Sequence, residues 1–134
     1  MLVEPVALTG QRWVNLEPLG REHLPEIDAV AADGELGALW FTGAPKAGSA
    51  AQWVDARLTV QSPTTGLTFV VRDKGGTLIG SSSYLNVDGP NRRLEIGYTW
   101  YVAPVRRTGV NAETKLLMLG HAFDELGCVA VEFR

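Results

Sequence analysis

Apolar and polar positions change their rhythm several times along the chain, and each change marks an element. "RWVNLEPL" alternates and reads as a short strand stopped at Pro18. In the next segment Leu24, Ile27 and Ala31 keep helical spacing. Leu36, Leu39 and Trp40 repeat it after a break at Asp33–Gly34, so two short helices are expected. "SAAQWVDARLTVQ" opens with Ser49 and Gln52 at capping-box spacing and predicts another helix, ended by "SPTTG". The centre then turns β-rich. "LTFVVRD", "TLIGSSSYLNV" and "RRLEIGYTWYV" read as three strands, with Gly80 marking a bulge. The glycine-bearing turns "KGG" and "DGPN" join them into an antiparallel meander over 67–102.

After Pro104 the helical period returns. Ala112, Leu116, Leu119, Phe123 and Leu126 fall on one face, and Gly127 stands where a helix end favours glycine. "CVAVEFR" is a final strand. Strand, long helix and strand imply a right-handed crossover that lays 128–134 parallel to 92–102. Without repeats, low-complexity tracts or a linker, the pattern predicts one α+β domain.

Composition narrows the class. The chain has 134 residues with 46% apolar and 20% charged, enough for one domain with a real core. A net charge of −3 gives no general attraction to nucleic acid or to an anionic membrane. One cysteine, Cys128, excludes an internal disulfide and a cysteine-rich zinc site. His23 and His121 have no partners at metal spacing, so no metal is expected. The N-terminus lacks a signal-peptide pattern and no apolar run approaches a membrane span, which implies a cytoplasmic protein.

The candidate chemistry lies at "VRRTGVNAETK". A strand ends near Val102 and a helix begins near Gly109. A helix start carries unpaired N–H groups and the positive end of its dipole. Gly109 would let a ligand approach the backbone, and Arg106 and Arg107 add charge. An ordinary strand-to-helix turn has the same ingredients, and most such turns bind nothing. Neither G-x-x-x-x-G-K-[ST] nor G-x-G-x-x-G is present.

Together, "LEIGYTW" and "RRTGVNAETKLL", in this order and at this spacing, resemble the GCN5-related N-acetyltransferases (GNAT superfamily). The nearest likeness is to the bacterial branch similar to ribosomal-protein N-terminal acetyltransferases. The family motif Q/R-x-x-G-x-G/A reads here Arg106-Arg107-Thr108-Gly109-Val110-Asn111, with Asn in place of the last Gly or Ala, as this branch often has. The resemblance implies a central mixed sheet, mostly antiparallel, with helices on both faces. It implies acetyl-CoA as co-substrate and a primary amine as acceptor, either a small molecule or a protein N-terminus. The backbone N–H groups of Arg106, Arg107, Thr108, Gly109, Val110 and Asn111 would cradle the pyrophosphate. Trp100, Tyr101 and Val102 would pair through their backbone with the pantetheine arm, and the Val102 N–H would polarise the thioester carbonyl. Glu95 would serve as the base that deprotonates the amine. Alternation puts Glu95 on one face with Gly97, Thr99 and Tyr101; an ion pair with Arg92 or Arg93 is its other reading. Trp40, Tyr84 and Asn86 would line the acceptor side, although a core position is the stronger expectation for Trp40, Phe41 and Trp53. His121 is expected in solvent, His23 in the first helix's opening turn, and Cys128 as a buried, inert thiol.

Family members continue past the strand matching 128–134 with a helix and two strands. These usually supply an Asn on the cofactor, one wall of the cleft and often a Tyr that protonates the thiolate. Residues 1–134 are therefore expected to form one acetyltransferase-like domain that is incomplete at its C-terminus. A terminal apolar strand edge leaves homodimer pairing open. The alternative reading is a degenerate module of this fold that binds CoA or a protein partner without turnover.

Overall fold

A computed structural model describes residues 1–33 and 43–134. The expected second short helix, with Trp40 and Phe41, lies outside the described residues. Six strands form one sheet in chain order: β1 (Leu8–Thr9), β2 (Val14–Pro18), β3 (Leu67–Asp73), β4 (Leu78–Asp88), β5 (Arg93–Tyr101) and β6 (Ala130–Phe133). Neighbours are antiparallel through β5, and β5 pairs with β6 in parallel. Among the described residues the α-helices are α1 (Leu24–Ala32), α2 (Ala50–Val60) and α3 (Val110–Gly120), the last running into a π-helical turn at His121–Glu125. The architecture is α+β, as the pattern predicts.

Two cores flank the sheet. Ile27, Ala50 and Val54 of α1 and α2 pack on Val70, Leu78 and Trp100. On the opposite face, Val110, Met118 and Ala122 cover Phe69, Val71, Tyr84, Leu94 and Ile96. β3 is buried from Leu67 to Val71 because its alternate side chains feed both cores, which is why its sequence is a continuous apolar run. No helix among the described residues is long and apolar enough to cross a membrane.

Three local expectations change. The Ser49 hydroxyl makes no cap bond to α2; it donates to the Lys46 carbonyl at 2.9 Å, so the capping box does not form. The buried face of α3 is Val110, Thr114, Met118 and Ala122, whereas Ala112, Leu116 and Phe123 are exposed, Leu116 by 70%. Thr114 hides this face from a hydropathy reading. Its hydroxyl donates to the Val110 carbonyl at 2.8 Å and so enters the core satisfied. His121 is half-buried rather than solvated, its ring stacked 6.4 Å from that of Tyr84, and burial pushes its pKa down.

The most consequential departure is a bulge in β5. Ser83 faces Gly97 but Ser81 faces Trp100, so Tyr98 and Thr99 together oppose Ser82. Tyr98 adopts φ 50, a conformation uncommon for a residue with a bulky side chain. The extra residue rephases the strand. Leu94, Ile96 and, past the bulge, Tyr101 belong to the α3 side, while Trp100 belongs to the α1/α2 side. Thr99 and Tyr101 therefore leave the face of Glu95. Thr99 accepts from Lys115 Nζ of α3 at 3.0 Å, and the Tyr101 hydroxyl donates to Asn111 Oδ1 at 2.9 Å.

Candidate functional site

The chain leaves β5 through a tight turn that Pro104 helps set. Val102 donates its N–H to the Ile79 carbonyl at 2.9 Å. That N–H, expected to polarise a thioester, is already engaged by β4. Alternation turns the backbone of Trp100 to β4 as well and leaves Tyr101 facing the other way. Of the three residues Trp100, Tyr101 and Val102, only Tyr101 has its N–H turned away from β4. Its carbonyl accepts from Arg106 Nε at 3.0 Å, which leaves its N–H. On this side β5 has its last β6 partner at Ile96, through the Arg134 N–H at 3.0 Å, and runs on to Tyr101.

A 3-10 turn at Ala103–Val105 follows, and Arg107 takes φ 64 to swing the chain into α3. The Thr108 hydroxyl donates to the Val105 carbonyl and accepts from the Val110 N–H at 3.3 Å. The N–H groups of Arg107, Thr108, Gly109, Asn111 and Ala112 make no hydrogen bond among the described residues. Arg106 Nη2 is buried and likewise without a partner. A row of unsatisfied donors beside an arginine is suited to an anion with several oxygen atoms.

Gly109 has a different reason for being glycine than ligand access. A side chain there would meet the Trp13 indole, with Nε1 only 2.2 Å from the Cβ position. Trp13 reaches this point because the turn between β1 and β2 is anchored on α3. The Glu113 carboxylate accepts the N–H groups of Arg12, Trp13 and Val14 at 3.1, 2.9 and 2.9 Å. Burial raises the pKa of Glu113, but these three donors and the charge of Lys74 outweigh it and hold the carboxyl below its ordinary value. Sequence reading missed Trp13 and Glu113, since no spacing rule links positions so far apart.

The opposite side of β5 carries a cleft of about 380 Å³ lined by Arg57, Gln61, Thr68, Asn86, Tyr98 and Arg134, among others. Asn86, expected on the acceptor side, lies here and donates to Glu95 Oε2 at 3.0 Å. Glu95 sits beside Arg134 Nε at 3.8 Å; Arg93 instead pairs with Glu132 at 2.7 Å, so neither expected arginine takes Glu95. Tyr84 also borders the cleft, yet its side chain is core. Its hydroxyl donates to the Met118 carbonyl at 2.6 Å, and burial raises its pKa well above the ordinary value. Trp100 is 2% exposed, edge-on to Trp53 at 5.8 Å, with an unpartnered Nε1. Cys128 is buried and its thiol pKa is raised by burial. No group of three or more His, Cys, Asp or Glu side chains among the described residues could hold a metal.

The chain is similar to a GCN5-related N-acetyltransferase from Brucella melitensis, with 29% identity and a TM-score of 0.80; the match covers 96% of this chain and 59% of that one. The chain thus spans less than two thirds of that relative. Its fold is also that of Mycobacterium smegmatis RimJ in complex with CoA-disulfide, at 16% identity and a TM-score of 0.77, covering 98% of this chain and 69% of that one. No curated protein matches. The sequence model described as the acetyltransferase (GNAT) domain matches residues 14–134, and the chain belongs to that family.

Proposed function

We propose that this protein is an N-acetyltransferase that moves the acetyl group of acetyl-CoA to a primary amine by direct attack in a ternary complex. The observation that carries this reading is the set of main-chain donors at Arg107, Thr108, Gly109, Asn111 and Ala112 without a partner among the described residues, joined by the partnerless Arg106 Nη2, at the end of a bulged strand. Those groups fit a pyrophosphate. Family membership supports the reading, as does the CoA-disulfide carried by the structurally similar RimJ.

When bound, acetyl-CoA supplies an electrophilic thioester. The loop over Arg106–Asn111 holds its phosphates. The Tyr101 N–H, facing away from β4, takes the role first expected of Val102. It would donate to the carbonyl oxygen as negative charge builds there, which is worth a few kcal/mol when one such donor is removed from other enzymes. An alkyl ammonium cannot attack, so a base must accept its proton. Glu95 fills that role in this reading, since it meets the cleft lining through its bond from Asn86. The acceptor is a small-molecule amine or a protein N-terminus, entering by the cleft between α2 and β5. The buried Cys128 thiol takes no part.

Calorimetric titration with acetyl-CoA, followed by thiol release across a panel of amines, tests this. Saturable binding and amine-dependent thiol release are expected. Glu95→Gln should lower turnover several-fold more than it changes acetyl-CoA affinity. Absence of acetyl-CoA binding would overturn the assignment. Binding without turnover on any amine would replace it with a CoA-binding module.

A further inference from the structure

We infer that Arg57 makes the acceptor cleft a carboxylate-recognition site, so that the preferred amine also carries an acid group. This rests on reading the cleft as the acceptor pocket.

Arg57 lies on α2 one turn after Trp53, on the helix face turned to the β5 bulge. Its guanidinium stacks on the Tyr98 ring, with Cζ 4.4 Å from the centroid. Its Nε donates to Thr68 Oγ1 over a long 3.4 Å, and its side chain also interacts with that of Tyr98. No carboxylate among the described residues forms an ion pair with it. Among the described residues the cleft lining contains two arginines, Arg57 and Arg134, and no Asp or Glu. Arg134 faces Glu95, which leaves Arg57 as the lining arginine without an ion-pair partner among the described residues.

A guanidinium held in place at the wall of a cleft, with no carboxylate beside it, is a ready partner for an anion. Burial pushes Arg57 below its ordinary pKa, and Tyr98 offsets this only in part. By contrast, Arg72, another partly buried arginine, is held by both Glu17 and Glu26. The platform under Arg57 is also fixed. Gly43, at φ 70, lies so close to the Tyr98 ring that a Cβ there would be 2.6 Å from Cδ1, and the Gly43 carbonyl accepts from Trp53 Nε1 at 2.9 Å. Stacking on Tyr98 orients the guanidinium plane, and an arginine oriented in this way can bind a carboxylate through two parallel N–H groups. The cleft volume suits an amino acid or the first residues of a peptide.

The test uses probe pairs that differ by one carboxylate. Thiol release from acetyl-CoA is followed with alanine against alaninamide, and with Ala-Glu-amide against Ala-Gln-amide. The first pair reads an amino acid's own carboxylate and the second an acidic side chain. Binding of glutarate against glutaramide is measured in parallel. In the wild type one acid member should be preferred about tenfold or more. In Arg57→Gln the preference should fall to about threefold or less, with acetyl-CoA affinity unchanged, and Arg57→Lys should recover part of it. Equal use of acid and neutral partners by the wild type overturns the inference, as does a preference that survives Arg57→Gln. If no pair supports thiol release, tighter binding of glutarate than glutaramide upholds the anion site and counts only against the transferase reading; equal binding then sinks the anion site.

Discussion

Arg106 and Arg57 stand on opposite sides of β5, and the two sites around them are built in contrasting ways. Arg106 belongs to a contiguous loop whose donors are main-chain N–H groups, fixed once strand and helix are in place. Arg57 belongs to a cleft assembled from side chains of α2, β3, β4 and β5, brought together only by the full sheet. The first kind of site binds what every member of a family shares, because main chain is insensitive to sequence. The second kind can change with single substitutions, and so suits the part of a reaction where relatives differ.

Breaking the loop should have the largest effect. Gly109 has φ −73, so alanine is allowed by its backbone, and only the clash with Trp13 opposes it. Gly109→Ala should destabilise by about 2–3 kcal/mol in urea unfolding, and a Trp13→Ala partner should remove most of that cost. Glu113→Ala frees three backbone N–H groups and should cost about 1–2 kcal/mol. The pH dependence has a definite sign. The folded-state pKa of Glu113 is lowered, so its contribution is complete above the ordinary value of 4.5 and is lost as pH falls through the lower folded value. The wild type should therefore lose more stability than Glu113→Ala as the solution is acidified below about pH 4.5. Tyr98→Gly should barely alter stability, within about 0.5 kcal/mol, because relief of a positive φ offsets the lost stacking under Arg57. It should nevertheless weaken the carboxylate preference, leaving acetyl-CoA binding intact. A matching loss of acetyl-CoA affinity would erase the distinction between the two sites.

The same contrast explains what sequence could reveal. The meander, the crossover helix and the parallel return of β6 were readable because each is set by local periodicity and by turn residues such as Gly76 and Gly127, both at positive φ. The loop motif was readable because it is contiguous. The β5 bulge was not, since "LEIGYTWYV" alternates well enough to hide one extra residue, and that residue moved Thr99 and Tyr101 off the face of Glu95. For the same reason Val102 was assigned a role that its bond to Ile79 forecloses. The face of α3 was misread because a satisfied threonine lies inside while Leu116 lies outside. Trp13 against Gly109 and Arg57 on Tyr98 join residues distant in the chain, and only packing reveals them.

The central claim is that the Arg106 loop holds the acyl donor and the Arg57 cleft does not. Calorimetric titration of the wild type, Arg106→Glu and Arg57→Gln with acetyl-CoA tests it most directly. One saturable site is predicted, weakened about tenfold or more by Arg106→Glu through repulsion of the phosphates and unchanged by Arg57→Gln. Equal affinity in wild type and Arg106→Glu, or weakening by Arg57→Gln alone, would contradict it.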